Sequence, residues 1–167
     1  MLDILAEIIA GGAIKHVDYI EDKKKGEGVL KWPLGILAGL CMGYILAFSP
    51  AAILFVGIIA AQVLMGKIDK PVHGLAVVLA AAVPFLLGME WANSGLLLPF
   101  FADAALDEVE FAGALRPMRD YRLWLKGTTL AVGAISGVWS YFVVLMAFDL
   151  AYLGVSKLAD GGRIVDL

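Results

Sequence analysis

The chain has 167 residues, 61% hydrophobic and 17% charged, with a formal net charge of -3 and a mean hydropathy of +0.87. Soluble domains average about half apolar and about a quarter charged, so this composition excludes an ordinary water-soluble globule. So small a net charge implies neither an acidic nor a basic partner, and no nucleic-acid partner is expected. The composition instead predicts an all-α, polytopic helical membrane bundle, a single transmembrane domain over residues 1–167. Cys41 is the single cysteine, so no intrachain disulfide forms. The opening "MLDILAEIIAGGAIKH" has no basic start and carries Asp3 and Glu7 within its apolar part, unlike a secretory signal.

In chain order, residues 1–22 read as an amphipathic helix. Leu2, Leu5 and Ile9 share one face and Asp3, Glu7 and Asp18 the other. Such a helix is expected on the membrane surface or against the bundle, with Gly11-Gly12 as a bend or break. The charged loop "EDKKKGEG" follows. Trp32-Pro33 opens a span near 32–48, and Ser49-Pro50 separates it from a second near 51–65, so the two form an antiparallel hairpin. Pro71 suits the first turn of a third span, 71–89, because its missing N–H costs nothing there. A short return segment, 95–110, is apolar for only eight residues before Asp103. The last span is 127–148. Four clear spans and the return segment make about five crossings. A seventeen-residue helix reaches about 25 Å, less than the usual hydrocarbon thickness of about 30 Å, so flanking residues or local thinning make up the difference.

With the return segment crossing, Lys15, Lys23, Lys24, Lys25, Lys31, Lys67, Lys70, Arg116, Arg119, Arg122 and Lys126 share one face, and only Lys157 and Arg163 oppose them. Cytoplasmic loops carry an excess of Lys and Arg. The expected protein is therefore integral to a membrane of prokaryotic type, N-terminus cytoplasmic and C-terminus outside. Gly35, Gly39 and Gly43, and likewise Gly133 and Gly137, recur at one helical turn and let another backbone approach. That neighbour is either a helix of the same chain or a second copy in a homodimer or other oligomer.

The connection "GKIDKPVHG" sets Lys67, Asp69, Lys70 and His73 between two apolar runs. It is expected to meet the His16 helix and the Asp103/Asp107 turn at the cytoplasmic face. His16, His73 and Asp69 are the catalytic candidates, since imidazole exchanges a proton near neutral pH. Asp69, Asp103 and Asp107 are the metal-ligand candidates, offering hard oxygens to Mg²⁺ or another divalent cation. Asp69 as a helix cap, and Asp103 and Asp107 as a solvated acidic face, are the plainer readings. Arg116, Arg119 and Arg122, at three-residue spacing, would cradle a lipid headgroup or phosphate, or anchor an interfacial helix to anionic lipid. Walker A, HExxH and CxxC motifs and a Gly-rich dinucleotide loop are all absent. The first functional reading is a membrane enzyme of lipid metabolism, or a lipid-binding protein, with membrane lipids as partners. The alternatives are a small oligomeric transporter or channel using Asp103, Asp149 or Glu90, and a non-catalytic membrane subunit. Whether the chain is an enzyme stays open on residue patterns alone.

Overall fold

A computed structural model describes residues 1–23, 28–89, 93–110 and 113–159, with the backbone alone at Lys23, Ala114, Arg119, Asp120 and Ala159. The described residues form helices and no strands. The helices are α1 (Leu2–Lys23), α2 (Lys31–Phe48), α3 (Ala52–Leu64), α4 (Pro71–Leu87), α5 (Leu97–Leu106), α6 (Arg116–Asp120), α7 (Leu123–Ser136) and α8 (Ser140–Ala159). Two of them, over Lys31–Phe48 and Ser140–Leu158, are long and apolar enough to cross a membrane.

The breaks between helices have local causes. Ser49 leaves the helical region, and its hydroxyl accepts the Ala51 N–H at 3.2 Å, which turns α2 into α3. Pro71 occupies the first turn of α4. Gly137 ends α7 at φ +75°, a left-handed conformation that favours glycine. The stretch 127–148, expected as one span, is therefore two helices, α7 and α8, folded back on each other at Gly137. Gly137 itself has open space around it. It serves the turn and not a helix contact.

Neighbouring contacts give the helices alternating directions. Gly35, Gly39 and Gly43 of α2 face Val72, Ala76 and Val83 of α4 in the same order, so α2 and α4 run parallel. A Cβ at Gly39 would stand 2.7 Å from the Ala76 carbonyl oxygen, so only glycine permits this approach. Lys31 pairs with Glu21 at 2.8 Å, which sets α1 antiparallel to α2. Gly11 lies against the Phe148 carbonyl, and Asp18 reaches Tyr152, so α1 runs parallel to α8. The ends of α1, α3, α5 and α8 and the starts of α2, α4 and α7 thus gather at one end of the bundle. That end holds Lys31, Lys67, Lys70, Arg122, Lys126 and Lys157, and is called here the charged end.

Helix α1 is continuous through Gly11-Gly12 and packs along α2 and α8. The face it buries differs from the expected one. Ala6, Glu7, Ala10, Ala13, Val17 and Ile20 point inward, while Leu2, Leu5 and Ile8 are exposed. Small side chains let α2 and α8 come close, and that gain in packing sets the orientation of the helix. The same inversion recurs elsewhere. Ile36 and Leu40 of α2, Val78 and Phe85 of α4, Ile135 of α7 and Leu150 of α8 all face outward. The inner core is built around Ile45, Leu54, Phe55, Phe100, Tyr141 and Leu145.

Candidate functional site at the charged end

A cavity of about 350 Å³ opens at the charged end between α2, α3 and α4, closed on its other side by α1 and α8. Its depth is apolar, lined by Ala38, Met42, Phe55, Ile59, Val77, Ala80 and Phe148. Its polar lining comes from Asp18, Gln62, Lys67, His73, Glu108, Arg122 and Tyr152. Helices α1, α3, α4 and α8 and the connections around Lys67, Glu108 and Arg122 supply these seven side chains, so only the folded bundle assembles them.

Three partnerships organise the mouth. Asp18, from the last turns of α1, has one carboxylate oxygen 3.1 Å from His73 Nε2, and its other oxygen accepts the Tyr152 hydroxyl at 2.9 Å. The Lys15 ammonium lies 4.7 Å from the centre of the Tyr152 ring. Across the opening, Gln62 Nε2 donates to Glu108 Oε1, and Lys67 lies 3.5 Å from Glu108 Oε2. Behind them the buried Asp149 pairs with Lys126 at 2.8 Å and with Arg122 at 3.5 Å. A carboxylate as buried as Asp149 needs such cations, since uncompensated burial of charge is costly.

Arg122 is held at φ 50°, ψ 49°, left-handed for a residue with a side chain. That conformation costs of order 1–3 kcal/mol. It is maintained because Arg122 begins α7, contacts Asp149 and sets its guanidinium 5.7 Å from the Tyr152 ring centre, at the cavity wall. Strain of this kind gathers at sites where a side chain must be placed.

The sequence-derived candidates part company here. His73 lies in the cavity wall. His16 is exposed and stands beside Tyr19, with ring centres 6.4 Å apart. Asp69 is exposed and pairs with its neighbour Lys70 at 3.1 Å. Its hydrogen bond to that ammonium holds the carboxyl below the usual carboxylate range. Asp107 is buried, and its two oxygens accept the Trp124 and Leu125 amides at 3.2 and 3.1 Å, which caps the start of α7. Burial raises the Asp107 carboxyl to about 6, against the pull of those two amides. Asp103 sits one turn earlier on α5, half-buried. Among the described residues no three His, Cys, Asp or Glu side chains come together as a metal site, and Asp69, Asp103 and Asp107 do not converge. Arg122 reaches the cavity, whereas Arg116 starts α6 with an exposed side chain. The Arg119 side chain and Glu90 lie outside the described residues, as do Lys24, Lys25 and Arg163.

Sequence reasoning passed over four groups that the structure makes prominent: Glu7, Gln62, Glu108 and Tyr152. A signal for Glu7 was present. Ala6, Ala10 and Ala13 mark the face that packs closely, and Glu7 adjoins it. No protein-family model, curated protein or solved structure matches the chain.

Proposed function

We propose that the chain is an integral membrane protein whose cavity takes a single-chain amphiphile from the membrane. Its polar head would lie among Asp18, Lys67, His73, Glu108 and Arg122, and its tail along Met42, Ile59 and Ala80. The observation that carries this reading is the polarity gradient of one cavity, charged at the mouth and apolar in its depth. A volume of about 350 Å³ is at the lower end of the range for small-ligand sites, roughly 300–1,000 Å³. It suits one hydrocarbon chain better than two. Arg122 and Lys67 supply donors to a phosphate or carboxylate head. Asp18 and Glu108 supply acceptors to hydroxyls or an amine on the same head. His73, beside Asp18, is the acid–base group available there.

The membrane assignment is supported by the outward apolar side chains and by the length of α2 and α8. Contiguous apolar exteriors are rare on soluble monomers. The lysines and arginines at one end favour that end as cytoplasmic. Because α8 returns to it, the end of α8 is assigned to the same side, where sequence reasoning alone had placed it outside. The proposal takes no metal.

The test is native mass spectrometry of the full chain released from detergent. The wild type is expected to retain single-chain lipids and to gain thermal stability from an added lysophospholipid or fatty acid. Ile59→Trp, which fills the depth, should lose both effects. Arg122→Gln should weaken binding of phosphate- and carboxylate-headed amphiphiles while leaving the cavity open. A wild type that retains no amphiphile and shows no thermal shift with either compound would overturn the reading.

A further inference from the structure

Glu7 is buried at 0% exposure, and neither carboxylate oxygen has a hydrogen-bond partner. It lies in α1 where that helix packs on α2 and α8, outside the lining of the amphiphile cavity. Among the described residues no countercharge pairs with it. On α1 the nearest titratable neighbour is Asp3, one turn earlier and of the same sign. From α2 its titratable neighbour is Cys41. On α8 the buried carboxylate, Asp149, is engaged by Lys126 and Arg122 near the charged end. Glu7 forms no ion pair among the described residues.

An ionised carboxylate in such a place is expensive, and a group so placed takes a proton instead. An apolar side chain would pack there at no such cost. Two further polar groups lie toward the end of the bundle opposite the charged end. Gly11 stands level with Phe148, so the parallel run of α1 and α8 puts Ser140 near the level of Asp3. The Ser140 hydroxyl is buried and likewise without a partner. Asp3 is half-buried at the end of the bundle opposite the charged end. Asp3 and Ser140 thus lie about one turn from the level of Glu7, toward that end.

We propose that Glu7 is a proton-binding site inside the bundle, loaded from the end opposite the charged end, where Asp3 and Ser140 lie. The carboxyl is neutral while α1 is closed on α2 and α8. Releasing the proton requires water or a cation to reach that depth. This inference is independent of the amphiphile reading, and either can fail alone.

The experiment treats the full chain in detergent micelles with dicyclohexylcarbodiimide, an apolar reagent that attacks protonated buried carboxyls. The acid proton passes to a carbodiimide nitrogen and the carboxyl oxygen bonds to the central carbon. Acyl transfer to nitrogen then leaves a stable adduct from which nothing departs. Peptide mass spectrometry is expected to find the adduct on Glu7 at neutral pH, declining as pH is raised. Infrared difference spectra of wild type against Glu7→Gln should show the carbonyl band of a protonated acid. The labelling needs no variant, so a Glu7→Gln chain that fails to fold leaves the test intact. Modification of Glu7 by a water-soluble carbodiimide alone, labelling that does not change with pH, or no adduct with either reagent would overturn the proposal.

Discussion

At the scale of single residues, the polar side chains divide by what answers their charge. Asp69 and Lys70 answer each other in solvent, and exposed pairs of this kind contribute little. Asp69→Asn is expected to leave the melting temperature essentially unchanged, and with it any shift produced by added lipid, as read by thermal denaturation with and without lipid. Asp107 does more, because it occupies the start of a helix. Asp107→Ala removes acceptors from two α7 amides and should cost about 0.5–2 kcal/mol, the usual cost of losing a cap. The pH dependence of this group has a definite sign. Its folded value of about 6 stands above the ordinary 3.8, so the fold binds its proton more tightly than the unfolded chain does. Its contribution is therefore greatest below the ordinary value and falls as pH rises through about 6. Melting curves across that window should show wild type losing stability relative to Asp107→Asn. A constant difference would show that Asp107 is already ionised throughout.

At the scale of elements, glycine does two unrelated jobs that one-turn spacing does not distinguish. Gly39 lets α2 and α4 touch backbone to backbone, so Gly39→Leu should overpack that contact and cost about 1–3 kcal/mol. Gly137 has room for a side chain but a backbone few residues adopt, so Gly137→Ala should cost of order 1–3 kcal/mol through strain alone. Gly137→Asn should recover part of that loss, because asparagine tolerates the left-handed region. A Gly137→Asn chain no more stable than Gly137→Ala would locate the cost elsewhere. Most helix limits were legible from punctuation: Ser49-Pro50, Pro71 and the apolar runs put α2, α3 and α4 within about two residues of their observed ends. The end of α7 was not, because "GAISGVWSYF" stays apolar across Gly137 and hydropathy does not register a reversal of direction.

At the scale of the whole molecule, the reversal at Gly137 decides where α8 ends. Single cysteines at Lys31 and Lys157, on a Cys41→Ala background in sealed vesicles, are expected to show the same accessibility to an impermeant thiol reagent. Opposite accessibility would restore a single crossing over 127–148 and separate Tyr152 from Asp18. Composition and run length by themselves determined the helical class, the apolar character and most breaks, because these depend on local backbone preference and on the apolar area that each segment carries. The meeting of "GKIDKPVHG" with the first helix and the turn after α5 was also foreseeable, since short connections leave few places for their ends. Which residues of those segments touch was decided by tertiary packing. His73 and Asp18 meet while His16 and Asp69 turn away, because the small-residue faces of α1 and α2 choose the rotation of each helix. The same rotation buries Glu7 beside alanines and sends leucines outward. An amphipathic pattern read on its own assumes that water lies outside the helix. Packing against α2 and α8 rewards close approach of backbones instead, and that preference becomes visible only when all three helices are in place.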